Sequence, residues 1–392
     1  MTNPQVVLKP DRDRSVKRRH PWVFSGAIKR APADLEPGAV VDVVFADGGF
    51  VGRGTFNPNS QIQVRIFTFD DEPLNDEFIV QRVEQALKAR SGLVGRDSDS
   101  YRLINSEGDG LPGLVVDRFN DYAVCQAHAI GAYRFRHTVA RALVRQLDLR
   151  GVLLRSDTQF ARSEGLSGKT EVLHGQAPDE PVTIRENDLP LAIDLLKGHK
   201  TGHYCDQRPN RRLMRELAAG RRVLDAFAYG GGFGLNALAG GATSVTFVES
   251  SKDICDAIRR NLRLGDHDES RAEVVCANVF DFLSSGSDRF DMVVLDPPAF
   301  ARGKAQVKDA ARGYKEINLK SMRRLDPGGV LATFSCSGHV NSDLFQKIVF
   351  GAALDAPAKL RIVSRLFAGP DHPTSLFCPE GDYLKGLLCQ LP

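Results

Sequence analysis

Four short stretches carry residue types and spacings that could do chemistry. LATFSCSGH (331–339) is an apolar run that ends on Ser335, Cys336 and Ser337 before a turn at Gly338. A thiol at the end of a buried strand either packs as a small hydrophobe or acts as a nucleophile. DPPAF (296–300) ends another apolar run with the carboxylate of Asp296, the rigid pair Pro297-Pro298 and the aromatic Phe300. The stretch DAFAYGGGFG (225–234) sets Asp225, Phe227, Tyr229 and Gly231 in a glycine-rich turn, where a ligand can approach the backbone closely. Glu249 closes SVTFVES, and an acid there can accept both hydroxyls of a ribose.

The elements that must position these groups begin after Pro190. RRVLDAFAY, SVTFVES, AEVVCAN, RFDMVVLDPP and GGVLATFS read as apolar strands, each followed by a stretch of helical spacing. Such alternation predicts an α/β fold, a Rossmann-like parallel sheet covered on both faces, and ligands at the carboxyl ends of its strands. KLRIVSRLF and YLKGLLCQL lack an intervening helix and predict a terminal antiparallel pair, giving a mostly parallel sheet. The third strand runs into Asn278-Val279, where an amide could bond an adenine edge beside an apolar flank. The turn is not G-x-G-x-x-G and brings no cation for a pyrophosphate, which argues against a dinucleotide. Each strand-end group alone is more often structural. Glycine turn, acid, amide and D-P-P in that order point to S-adenosylmethionine as cofactor.

The amino-terminal part has a different texture. QVVLK, AVVDVVFADGGFVGRGTFN and IQVRIFTF read as short strands around turns, predicting a small β-barrel module over 1–74. A mixed α+β domain is expected over 75–187, with a helix near 77–93, another near 134–147 and a strand GVLLRSD. The acids of EGDGLPG (107–113) read as turn and surface residues rather than a catalytic pair. The cofactor domain is expected over 188–392. The overall charge of +3 says little, but residues 9–30 cluster eight lysines and arginines around Trp22. Arg18, Arg19, Trp22 and Lys29 there suit a polyanion such as RNA; the alternative is a solvated charged face.

The 392 residues, 42% hydrophobic and 26% charged, have ordinary globular composition and enough length for two or three domains. No apolar run approaches the ~18 residues of a membrane span, and the amino terminus lacks the apolar core of a signal peptide. A cytoplasmic protein with no membrane partner is expected. Seven scattered cysteines without C-x-x-C and nine histidines give no metal-ligand spacing, so free thiols and no metal are expected.

At these residues the chain resembles the class I methyltransferases, and more narrowly the RlmI-type bacterial large-subunit (23S) ribosomal RNA cytosine-5 methyltransferases. The similarity runs in order through RRHPWVFSGAI (18–28), YRLINSEGDGLPGLVVDRF (101–119), GHKTGHYCDQR (198–208), DPPAF, GYKEIN (313–318) and FSCSG (334–338). It implies an N-terminal PUA-like RNA-binding domain and a seven-stranded methyltransferase sheet. It also implies that Asp206, Gln207 and Arg208, with the glycine turn, enclose the methionine end of the cofactor. Two positions depart from the family: Gly230 stands where a hydroxyl is common, and Asn278 where an aspartate is common.

The resemblance implies ribosomal RNA as partner and gives the cysteine a task. Carbon-5 of cytosine is a poor nucleophile until a thiolate adds at carbon-6, and Cys336 is the expected nucleophile. Asp296, protonated, could donate to N3 of the base, with Pro297, Pro298 and Phe300 around the base. Cys205 is the competing thiol and reads as lining. Two alternatives stay open: methylation of a base nitrogen by the D-P-P group, and a non-catalytic RNA-binding protein with a degenerate cofactor domain. A homodimer is kept among the expectations for partners.

Overall fold

The computed structural model describes residues 3–156, 159–166, 168, 170–301 and 303–392. The chain packs as two compact units. The first comprises Met1–Val182, Asp194–Cys205 and Pro370–Gly381, and the second Thr183–Ile193, Asp206–Gly369 and Asp382–Pro392.

Among its described residues the first unit shows two hydrophobic clusters. One lies in a six-stranded sheet formed between Gln5 and Thr68. There the β-branched Val6, Val23, Val41, Val43 and Val64 alternate inward and are fully buried. The other lies on a five-stranded sheet formed between Ser100 and Gly175. The helices Asp76–Arg90 and Arg136–Gln146 cover it with Phe78, Ile79, Val83, Val139 and Leu143. Asn75 starts the first of these helices by accepting from the backbone N–H of Phe78 at 3.0 Å. The strand read as GVLLRSD spans Gly151–Arg155, and its expected last residue, Asp157, lies outside the described residues.

The acids of the 107–113 turn are not surface groups, contrary to expectation. Asp109 forms a bidentate pair with Arg90 at 2.6 and 2.7 Å, its side chain 6% exposed. Glu107 accepts from Trp22 Nε1 at 2.8 Å and from Arg65 at 3.2 Å. Turn chemistry located the bend correctly, but it could not show that basic partners distant in sequence draw both carboxylates inward.

The second unit is built on seven strands: β1 (Arg222–Ala226), β2 (Ser244–Glu249), β3 (Ala272–Cys276), β4 (Phe290–Leu295), β5 (Leu325–Ser335), β6 (Arg361–Phe367) and β7 (Lys385–Gln390). Their order is β3-β2-β1-β4-β5-β7-β6. The first five run parallel, and β7 is antiparallel to both β5 and β6. Among the described residues six helices accompany the sheet: α1 (Arg208–Leu217), α2 (Gly232–Ala239), α3 (Lys252–Leu264), α4 (Val279–Ser285), α5 (Val307–Arg323) and α6 (Ser342–Asp355). Helix α5 buries Ala310, Tyr314, Ile317 and Ser321 at helical spacing, which fixes the face it turns to the core. Strand order reverses between β2-β1 and β1-β4, and such a switch point opens a crevice at the carboxyl ends. All four stretches singled out in the sequence end there.

Candidate active site

The turn after β1 is built around strained backbone. Phe227 and Tyr229 have φ of 62° and 47°, and Gly231 has φ of 83°. A non-glycine residue held in the left-handed region costs about 1–3 kcal/mol, which the surroundings must offset. Two carboxylates do so. Asp225 accepts from Gly234 N at 2.8 Å, and Glu249 accepts from Tyr229 N at 3.1 Å. Gly234 has no room for a side chain, because a Cβ there would lie 2.1 Å from the Phe247 ring. Arg211, held by the buried Glu186 through two bonds of 2.6 Å, stands against Gly232. Gly230 is the open position, where the nearest atom to an added Cβ would be Asn261 Nδ2 at 3.8 Å.

Asp225 is almost completely buried, and burial pushes its carboxyl up to about 7, with Asp296 adding to the rise and Gly234 N opposing it. Glu249 is half-buried and also accepts from Ser250 N at 2.7 Å and Ser251 N at 3.2 Å through its other oxygen. Asn278 is exposed and caps α4, its Oδ1 accepting from Phe280 N at 2.8 Å. That bond leaves the amide nitrogen as its donor toward a ligand. Val279 is buried behind it.

Asp206, Gln207 and Arg208 lie at the start of α1 and are all buried. Asp206 accepts from the Tyr383 hydroxyl at 2.5 Å, and Gln207 Oε1 accepts from Asn210 at 2.6 Å. The Gln207 amide nitrogen is buried with no hydrogen-bond partner. S-adenosylmethionine fits this donor set. Its carboxylate would take an orphaned amide N–H, and its ammonium would meet the buried carboxyls of this rim. Its ribose would meet an acid with remaining lone pairs.

Around the D-P-P end of β4, three half-buried rings gather: Phe227, Phe280 and Phe300, with centroids 6.0–6.5 Å apart. Phe300 also packs on Tyr314 at 4.6 Å. Asp296 is half-buried, Pro297 buried and Pro298 exposed. β4 and β5 pair with Leu295 opposite Thr333, so Asp296 and Cys336 end neighbouring strands. Cys336 is half-buried and its thiol faces Pro297 O at 3.8 Å.

The hydroxyls flanking the cysteine hold the turn. Ser337 Oγ accepts from Ala301 N at 3.2 Å and bonds the Tyr314 hydroxyl at 3.0 Å. Ser335 Oγ accepts from Ser337 N at 3.4 Å. Beneath them Lys385, opposite Ser335 across the β5–β7 ladder, donates to the carbonyls of Ser337 at 2.7 Å and Val340 at 2.6 Å. Sequence reading assigned no role to Tyr314, Ser337, Lys385 or the Glu186–Arg211 pair. A signal existed for Lys385, which is a lone charge inside the otherwise apolar YLKGLLCQL.

Cys205 belongs to the first unit, buried, with its sulfur 3.6 Å from Ser100 Oγ. Arg18, Arg19 and Lys29 are exposed there. Trp22 is engaged within that unit, its indole N–H on Glu107 and its ring 5.3 Å beneath the Arg65 guanidinium. Among the described residues, His20, Cys378 and Glu380 bring potential ligand atoms within 4.8 Å of one another. His20 Nδ1 accepts from Trp22 N at 3.2 Å, which puts the neutral ring's proton on Nε2, where it donates to Glu380 at 3.1 Å. Burial also keeps the Cys378 thiol protonated. The trio is a hydrogen-bonded cluster whose donors are used.

Comparison with known proteins gives the family and the fold. Residues 161–388 match the family described as S-adenosylmethionine-dependent methyltransferase, and residues 6–69 match the PUA-like domain. The chain is 44% identical over 393 residues to the ribosomal RNA large subunit methyltransferase I of Shewanella denitrificans, covering 99% of each. It is 42% identical over 394 residues to the protein of that name from Vibrio cholerae, again covering 99% of each. Among solved structures, the methyltransferase SMU.776 complexed with SAH superposes over 100% of both chains with a TM-score of 0.85 at 20% identity. A SAM-dependent methyltransferase from Streptococcus mutans does so with a TM-score of 0.84 at 19% identity. These two likenesses speak to the fold.

Proposed function

The chain belongs to the family of ribosomal RNA large subunit methyltransferase I, S-adenosylmethionine-dependent enzymes with a PUA-like domain, and we propose that it methylates carbon-5 of a cytosine in large-subunit ribosomal RNA through a covalent adduct on Cys336. The observation that carries the reading is the position of that thiol. It ends β5 beside the D-P-P end of β4, at the mouth of the cofactor cradle, on a turn held by three separate side chains.

When bound, the cofactor supplies an electrophilic methyl on a sulfonium. We assign its methionine end to Asp206, Gln207, Arg208 and Asp225, and the turn residues Phe227, Tyr229 and Gly231 to its close approach. Glu249 accepts from the ribose, and Asn278 with Val279 flanks the adenine.

The target base leaves its stack to enter the site, against Pro297, Pro298 and Phe300. The Cys336 thiolate forms the S–C6 bond, and the C5=C6 electron pair becomes available at carbon-5, which takes the methyl. Asp296, protonated, donates to N3 and stabilises the negative charge that the addition places on the ring. Loss of the carbon-5 proton to solvent then restores the double bond and breaks S–C6, returning the thiolate. The exposed Arg18, Arg19 and Lys29 bind RNA phosphates.

RNA carrying 5-fluorocytosine at the target tests this. Fluorine cannot leave as a proton, so the thioether should persist as a covalent protein–RNA complex after methyl transfer. Cys336→Ala should lose both trapping and methylation while still binding cofactor. Full methylation by Cys336→Ala would overturn the mechanism in favour of nitrogen methylation. Trapping lost only in Cys205→Ala would move the nucleophile.

A further inference from the structure

The turn that carries Cys336 is underlain by a buried positive charge. Lys385 is 5% exposed, and its ammonium donates to two backbone carbonyls, those of Ser337 and Val340. Carbonyl dipoles solvate an ammonium but do not neutralise it, and an uncompensated charge in the interior is costly. Two groups act on Lys385 electrostatically in the direction that keeps it charged, Cys336 first and Asp382 second. Asp382 is exposed, so water screens it. Cys336 sits on the same turn that the ammonium holds.

We propose that Lys385 is a positioning residue for the reaction, fixing the Ser337–Val340 turn and supplying the counter-charge that holds Cys336 as a thiolate. The inference rests on the reading of Cys336 as nucleophile. A lysine suits the place because β7 runs antiparallel to β5 with Lys385 opposite Ser335, so the long side chain reaches past the strand end to the turn.

Among the described residues, three other ionisable groups near the thiol do not take this role. Tyr314, from α5, is held above its ordinary range by burial and stays a neutral phenol. Asp296, at the end of β4, and Asp382 are acids and supply no positive charge. The Lys385 ammonium, bonded to that turn, is a cation that favours the thiolate. Burial also lowers Lys385 itself, so the pair has a window. Thiolate forms as pH rises, and its support fades once Lys385 loses its proton. In the adduct the sulfur is a neutral thioether, and elimination regenerates the anion beside the same ammonium.

The test is the pH dependence of Cys336 alkylation by iodoacetamide in the full chain, without RNA or cofactor, read peptide by peptide by mass spectrometry. The wild-type midpoint should lie below the ~8.5 of an ordinary thiol. Lys385→Met should move it upward by about one unit, lowering the rate at neutral pH about tenfold. Its methylation of RNA should fall at pH 7 and recover near pH 9, whereas a distorted turn would not recover. Lys385→Arg should restore part of the shift. A Lys385→Met protein with an unshifted midpoint overturns the proposal. If that variant does not fold, a wild-type midpoint at or above the ordinary thiol value overturns it. Loss of the nucleophile reading would instead show as methylation by Cys336→Ala, a separate measurement.

Discussion

The hydroxyls of Tyr314 and Ser337 meet at 3.0 Å, joining the buried face of α5 to the residue after Cys336. Tyr314 is fully buried, and Ser337 also takes Ala301 N at 3.2 Å, so one small hydroxyl ties together three elements. Ser337→Ala removes that oxygen and leaves the buried Ala301 N–H unmatched, while the Tyr314 phenol keeps its bonds to Ser335 and the Phe300 backbone. Such a group costs about 1–3 kcal/mol, so thermal unfolding should shift down by a few degrees. Methyl transfer should slow as the cysteine turn loosens. Unchanged stability would mean that the Ala301 N–H finds another partner.

Asp225 makes cofactor affinity depend on pH in a defined direction. Its carboxyl is raised to about 7 by burial. The folded state therefore holds a proton that the unfolded chain has released above ~3.9, and this group costs stability as pH rises from there toward 7. A bound ammonium favours the ionised form, so affinity should climb from pH 6 through 7. It should level off as the cofactor's own α-amino group approaches its ~7.7–8.0. Calorimetry across this range checks it, and Asp225→Asn should flatten the climb. A flat wild-type profile would separate Asp225 from the ammonium.

Neutralising Arg18, Arg19 and Lys29 should weaken RNA binding and lower the slope of log affinity against log salt by up to ~0.7 for each phosphate of a single strand that is no longer neutralised. Arg19 lies 3.8 Å from Asp70 at an exposed site, a pair worth little in water, so losing it should not disturb the fold. Cofactor affinity should stay constant. Equal RNA affinity and slope in the variant would make the cluster an ordinary solvated face.

How much of this was legible depended on what each residue needs from its neighbours. The doubly wound sheet was readable because buried parallel strands such as FDMVVL carry their apolar character in one continuous run, and helices such as α5 repeat theirs at fixed spacing. The placement of Asp225, Glu249, Asn278, Asp296 and Cys336 at the strand ends was readable because strand ends in such a sheet converge on one rim. The rest depended on partners far apart in sequence. Glu186 has no sequence signal of burial, because Arg211, the partner that permits it, lies 25 residues away. Ser335 and Ser337 carry no role in the sequence alone, because Tyr314, Ala301 and Lys385, which share the turn with them, are far apart in the chain. The element near 134–147 is two helices, Ile130–Arg134 and Arg136–Gln146, broken at Phe135, whose ring packs in the core. Helical periodicity alone does not register such a break.

Asn278 provides a test at the adenine end. Its Oδ1 is engaged in capping α4 through Phe280 N at 2.8 Å, so the group it turns to a ligand is chiefly its NH2. The exocyclic amine of adenine is a donor and meets a second donor poorly. An aspartate caps equally well, and its charge at a helix amino terminus contributes about 0.3–1 kcal/mol. It also offers a second acceptor oxygen to the amine. Asn278→Asp should therefore keep or raise the melting temperature and tighten cofactor binding several-fold, most clearly in enthalpy. Asn278→Ala should lose the cap, about 0.5–2 kcal/mol, and weaken binding with it. If Asn278→Asp binds more weakly than the wild type while its stability is kept, the asparagine amide is donating to a ring nitrogen of the adenine. Unchanged affinity in both variants would place the adenine elsewhere on the rim.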